Sequence, residues 1–124
     1  MRRTALLPWL LLSLLVPAWS AAAPPAGDAA AREIAGLFAA LGASSCTFQR
    51  NGSWHDAARA RAHLQRKYDY LRKRDRALTA ERFIALAASR SSVTGQPYRV
   101  RCGTAPPVDS AVWFGERLGA LRAR

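Results

Sequence analysis

Residues 46–52 read Cys46-Thr47-Phe48-Gln49-Arg50-Asn51-Gly52. Apolar and polar side chains alternate from Cys46 to Arg50, the period of a half-buried strand. Asn51-Gly52 then favours positive φ at two successive residues, the strongest short signal for a hairpin. Trp54 falls on a brief return strand. A second alternating run, Tyr98-Arg99-Val100-Arg101-Cys102, also ends in cysteine. If the two cysteines are bonded, the strands must run antiparallel with Cys46 opposite Cys102, Phe48 opposite Val100 and Arg50 opposite Tyr98. Parallel pairing separates the sulfurs by four residues, roughly 13 Å, too far for a bond.

The compartment decides whether such a bond is expected. Met1-Arg2-Arg3 is a basic head, Leu6 to Ala18 is almost wholly apolar, and small residues run from Ser20 to Ala23. These are the three parts of a secretory leader. The apolar run falls short of the about 20 residues that cross a membrane. Cleavage is expected after Ser20 or Ala22, because a cut after Ala23 leaves proline at the first position. The expected division is therefore a signal peptide over 1–22 and a single exported domain over 23–124, with 23–28 as a flexible joint. In an oxidising compartment an even cysteine count in a small domain predicts a disulfide, here Cys46–Cys102. No transmembrane segment is expected after cleavage.

Outward from the strands, the chain reads as helices. Asp28 is placed to cap a first helix with Ile34, Leu37, Phe38 and Leu41 on its core face and Gly42 as its stop. A second helix, from about Asp56 to Arg74, has Ala57, Ala60, Leu64, Tyr68 and Leu71 on one face. Thr79 caps a third, with Leu78 and Phe83 spaced for a hydrophobic staple. After Pro106-Pro107 a last helix runs from about Ser110 to Arg122 and buries some of Val112, Trp113, Leu118 and Leu121. The order α-β-α-α-β-α predicts an α+β class: a mostly helical small domain with an antiparallel sheet of two or three strands.

Charge narrows the partners. The chain carries 19 Lys and Arg against 8 Asp and Glu, a formal charge of +11, or +9 once Arg2 and Arg3 leave with the leader. Such a chain favours anionic surfaces. Outside the cytoplasm these are envelope components or acidic proteins, and nucleic acid is not expected. On the second helix Arg59, Arg66, Tyr70 and Lys73 share the side away from the core. His63, Lys67 and Arg74 flank them. This is a candidate anionic-ligand face, with Asp69 and Asp75 nearby. His63 itself reads as an ordinary surface residue.

For catalysis, Ser91 or Ser92 activated by His55 or His63 is conceivable, but no Gly-x-Ser-x-Gly elbow is present. Hydroxyls in such loops more often close turns onto their own backbone. No metal or cofactor is expected, since two cysteines without a nearby histidine pair do not supply four zinc ligands. No catalytic residue is therefore assigned.

Phe48-x-Arg50-Asn51-Gly52, Ala62-His63-Leu64-x-x-Lys67-Tyr68 and Thr79-Ala80-Glu81-Arg82-Phe83-Ile84 form an ordered set. Ala88-Ser89-x-Ser91-Ser92-x-Thr94-Gly95-x-Pro97-Tyr98-x-Val100 completes it. Together they resemble the YfeK-like family of small exported bacterial proteins, whose function is not established. The resemblance spans about residues 32 to 102 and implies a periplasmic location and no catalytic assignment. The cysteine pair is no part of that family pattern, so the disulfide rests on the strand argument alone. What the resemblance adds is a pointer to two stretches as binding loops: Arg50, Asn51 and Gly52, and Ser89, Ser91, Ser92, Thr94, Gly95 and Tyr98. With the expected register the two stretches meet at one end of the sheet. The function expected is a non-catalytic binding or envelope-maintenance module. A small hydrolase and a basic accessory protein for an anionic envelope polymer are the alternatives.

Overall fold

A computed structural model describes residues 26–124 together with Leu15 and Pro17. The expected leader lies almost entirely outside the described residues. Four helices and four strands follow in order: α1 (Ala26–Ala43), β1 (Thr47–Arg50), β2 (Ser53–His55), α2 (Ala57–Arg74), α3 (Ala80–Ala87), β3 (Arg99–Arg101), β4 (Val108–Asp109) and α4 (Ser110–Arg122). The strands form one antiparallel sheet in the order β2-β1-β3-β4. The domain is thus a mixed α+β domain, mostly helical. No described helix is long and apolar enough to cross a membrane.

The register between β1 and β3 is the expected one: Phe48 pairs with Val100, flanked by Thr47–Arg101 and Gln49–Arg99. Cys46 and Cys102 are bonded just beyond that ladder, with Cα atoms 4.2 Å apart. Asn51 (φ 50°) and Gly52 (φ 81°) form the hairpin turn, and Trp54 lies on β2 opposite Gln49. Two left-handed residues in succession match the twist of the flanking strands.

The core has two aromatic clusters. Phe38, Tyr68 and Phe83 join α1, α2 and α3, with ring centroids 5.5–6.0 Å apart. Phe48, Trp113 and Phe114 join the sheet to α4 in edge-to-face contacts at 5.5 and 4.9 Å. Such offset geometries are favoured by the ring quadrupoles. Ile34, Leu37 and Leu41 fill the layer between them. At the domain's edge, Arg122 binds both Glu33 and Glu81, tying the end of α4 to α1 and α3.

Two local expectations are corrected, the number of strands and the start of the first helix. The sheet gains a fourth strand: Pro106-Pro107 delivers Val108 and Asp109 in extended form beside β3. Helix α1 begins at Ala26, so Asp28 sits within its first turn and the joint placed over 23–28 is helical from 26 onward. Asp109 stands at the N-cap of α4 but makes no side-chain cap bond; its carboxylate faces Arg99 across the strands at 3.8 Å. Val112 is 52 % exposed, because Trp113, Phe114 and Leu118 set the buried arc of α4 and Val112 falls outside it.

Candidate functional site

Helix α2 starts where the sequence places it. Asp56 accepts from the Arg59 amide at 2.8 Å, satisfying one of the unpaired N–H groups of the first turn. With that phase fixed, Leu64 turns into the core. His63 and Lys67, one helical turn apart, turn toward β1 and the segment leading into β3. There they meet Arg50 and Tyr98, which the extended register places at the same end of the sheet.

The four side chains form a continuous network. The Arg50 guanidinium lies 3.0 Å from His63 Nδ1, His63 Nε2 lies 3.1 Å from the Tyr98 hydroxyl, and Lys67 Nζ lies 3.2 Å from that hydroxyl. Lys67 also donates to the Arg90 carbonyl at 3.1 Å, and its ammonium stands 5.0 Å from the Tyr98 ring centroid. An arginine can only donate, so His63 Nδ1 accepts and Nε2 carries the hydrogen. The Tyr98 oxygen therefore accepts twice, from His63 and from Lys67. Its own hydrogen finds no acceptor among the described side chains, although Tyr98 is only 6 % exposed.

Electrostatics follow from this packing. Burial, reinforced by Arg50, Lys67, Arg66 and His55, lowers the His63 pKa to about 4, so the ring is neutral at pH 7. Burial and Arg50 also lower the pKa of Lys67. Burial raises that of Tyr98, with Arg50 opposing. No carboxylate enters any of these balances.

The loop between α3 and β3 closes on itself. Ser89 donates to the Ile84 carbonyl at 2.6 Å, the same oxygen that accepts the Ala88 amide at the end of α3. Ser91 is 5 % exposed, and its hydroxyl accepts from the Val93 and Thr94 amides. Gly95, at φ 73°, turns the chain back so that Ser91 and Gln96, and Ser89 and Tyr98, pair through their backbones. Thr94 donates to the Asn51 side chain at 2.7 Å. The two polar stretches singled out in the sequence are thereby joined directly.

Beside the network lies an open groove of about 330 Å³, lined by His63, Arg66, Lys67, Tyr70, Leu71, Leu86 and Ser92. Four of the seven residues expected on the anionic-ligand face reach it. Arg59 instead borders a smaller slot of about 30 Å³ on the other side of the network, lined by Arg50, His63 and Tyr98 together with Phe48, Leu64 and Phe114. Arg74 stacks on the Tyr70 ring, 3.8 Å from its centroid, and Lys73 is exposed but does not line the groove. Asp69 and Asp75 pair with Arg72 and Arg82, so neither neutralises the groove.

Among the described residues no serine hydroxyl is hydrogen-bonded to a histidine. Both ring nitrogens of His63 are occupied by Arg50 and Tyr98, and the Ser91 hydroxyl is committed to loop amides. Ser92 is exposed on the groove, and His55 lies across the sheet edge in the slot. Among the described residues no cluster of His, Cys, Asp and Glu is suited to a metal ion.

The placement of His63 corrects its reading as an ordinary surface residue: the ring is half-buried and joins the two ends of the network. Its spacing to Lys67 was the available signal. Two contributors escaped the sequence altogether, the Arg90 carbonyl and the Leu86 wall, because neither a backbone oxygen nor an exposed leucine leaves a motif.

Comparison with known families gives a match over residues 28–122 to DUF5329, a family of unknown function. The chain belongs to the DUF5329 family. A curated relative, the uncharacterized protein YfeK of Salmonella typhimurium, is 40 % identical over 91 residues, covering 70 % of this chain and 68 % of that protein. The chain is thus YfeK-like, as the sequence motifs indicated. No solved structure matches it significantly. Every element of the network and groove described above lies within the DUF5329 region.

Proposed function

We propose that this protein is an exported, non-catalytic binding module that holds an anionic component of the cell envelope in the groove beside α2. One observation carries the reading: His63, Arg66 and Lys67 converge on a groove to which no acidic residue contributes. The half-buried Lys67 beside Arg50, and the His63 ring that these cations and Arg66 keep neutral, mark a site where positive charge is held together at an energetic cost. An anion in the groove offsets that cost. The leader-like segment at residues 1–22 supports export, and the net charge of +9 that follows cleavage supports attraction to anionic surfaces.

Binding of the oxidised protein to phosphatidylglycerol vesicles, measured against phosphatidylcholine vesicles across a salt series, tests this reading. Attraction through exposed cations weakens as the screening length falls from about 10 Å at 0.1 M salt to about 3 Å at 1 M. Arg66→Ala combined with Tyr70→Ala is expected to weaken binding at low salt while leaving the melting temperature nearly unchanged, since both side chains are exposed. Equal binding to neutral and anionic vesicles, or an unaffected double variant, rejects it.

A further inference from the structure

We infer that the groove seats a single compact oxyanion of the phosphate or sulfate class, and that seating it draws a proton from solvent onto His63. The inference rests on the anion-binding reading above and adds to it a ligand class and a proton linkage.

The first argument is an inventory of hydrogens. Around the Tyr98 hydroxyl, Arg50, His63 and Lys67 all act as donors. The acceptors are one imidazole nitrogen, the phenol oxygen itself and the Arg90 carbonyl. Of the hydrogens left over, the third ammonium hydrogen of Lys67 belongs to a groove-lining side chain, while the phenol hydrogen and the rest of the Arg50 fork lie behind it, on side chains that line the small slot with His63. A cluster this rich in donors is completed by an acceptor, and an oxyanion supplies several acceptor oxygens within one small volume. The groove of about 330 Å³ is lined by Arg66 and Lys67 together with Tyr70, Leu71 and Leu86, which offer apolar surface to an attached organic group.

The second argument concerns His63, which belongs both to the network and to the groove lining. Every titratable or charged group that bears on it repels a proton or is neutral: Arg50 from β1, His55 from β2, Arg66 and Lys67 from α2, and Tyr98 ahead of β3. An oxyanion among them reverses the sign of the local field. The imidazole then gains a proton at Nδ1, the only ring nitrogen without a hydrogen, and the Arg50 bond to that nitrogen is given up. The proton comes from solvent, and no other bond is made or broken.

The size of the effect follows from linkage. If the bound anion restores His63 from about 4 to its ordinary value of 6.5, affinity at pH 5.0 exceeds that at pH 7.5 on the order of 20-fold. Sodium sulfate is the discriminating probe, because it stays a dianion throughout this range and any pH effect belongs to the protein. The oxidised protein is titrated at both pH values at constant ionic strength while the His63 imidazole is followed by NMR. Three results are expected: tighter binding at pH 5.0 by roughly that factor, an upward move of the His63 titration midpoint with sulfate, and loss of the pH dependence in His63→Gln. Arg66→Ala weakens binding, whereas Arg32→Ala on α1 does not. A parallel titration with phosphatidic acid vesicles separates the sources. The same His63 signature there assigns a lipid headgroup, and its appearance with sulfate alone assigns the free ion; either result supports the inference. If sulfate binds through Arg66 with equal affinity at both pH values, the proton linkage is wrong and the anion groove stands. If sulfate and vesicles leave the groove resonances unmoved, the groove reading falls and this inference with it.

Discussion

Acidification is expected to weaken the fold through His63, and the structure sets the direction and the scale. The unfolded chain carries a histidine that titrates near 6.5, whereas in the folded domain burial and four basic neighbours hold the value at about 4. Between those values the unfolded state binds more protons, so stability is complete above pH 6.5 and is lost as pH falls toward 4. From pH 7 to pH 5 the full shift corresponds to about 2 kcal/mol. The ring is only half-buried, and solvent screening reduces this to about 1 kcal/mol. For a domain of this size that is a fall of roughly 4–8 °C in melting temperature. The assay is thermal unfolding followed by circular dichroism at pH 7, 6 and 5, in buffers free of multivalent anions that would occupy the groove. His63→Gln keeps a polar side chain in place but cannot titrate, and its melting temperature should fall less over the same range. Glu33 and Glu81, held below the ordinary carboxylate value by Arg122, begin to protonate only at lower pH and do not blur the comparison. Parallel pH profiles for the wild type and His63→Gln refute the reasoning, since they mean that the network imposes no penalty on the imidazolium.

Other outcomes are equally specific. Cys102→Ser is expected to destabilise the oxidised protein by about 4 kcal/mol, the chain-entropy value for a cross-link spanning 56 residues, and to change little once reductant is present; chemical denaturation with and without reductant measures it. Gly95→Val should cost about 1–2 kcal/mol because its φ of 73° is unfavourable for a branched side chain, whereas Ser92→Ala should leave stability nearly unchanged. The melting temperatures of the two variants check the contrast. Intact-mass analysis of exported protein should show a chain beginning near Ala21 or Ala23, and Met1 still attached refutes the leader.

The readable parts of this chain were those with a period or a forced φ. Ile34, Leu37, Phe38 and Leu41 announce a helix face at three- and four-residue steps, and Asn51-Gly52 announces a turn that few other dipeptides can make. The disulfide argument supplied the one long-range fact, the register that sets Phe48 opposite Val100. Strand β4 was invisible because two residues carry no period; it exists only because β3 offers an edge and Pro106-Pro107 hold the approach extended. The network was half legible. Arg50 and Tyr98 follow from the register, but the role of His63 depends on the rotation of α2 against the sheet, which Asp56 and Leu64 determine through packing rather than motif. Asp109 illustrates a competition between a local and a cross-strand partner. Its position suits a cap, yet a cross-strand arginine competes for the same carboxylate.

The disulfide and the network occupy opposite ends of one short ladder. Cys46 and Cys102 close it at one side, and Arg50 and Tyr98 stand four residues away on their respective strands, roughly 13 Å at the rise of a strand. The far end needs its own fastening, because so short a ladder frays where nothing holds it. It has one: the Tyr98 amide donates to the Ser89 carbonyl, the Ser110 amide to the Tyr98 carbonyl, and Thr94 reaches Asn51. The serines and threonine of the loop therefore hold Tyr98 in place from the backbone side, while His63 and Lys67 hold its hydroxyl from the helix. An arrangement that assembles three basic side chains around a buried phenol without a carboxylate is costly for folding alone. The loop closure and the cross-link supply the rigidity that keeps those groups together, and His63 and Lys67 are thereby held ready at the edge of the groove.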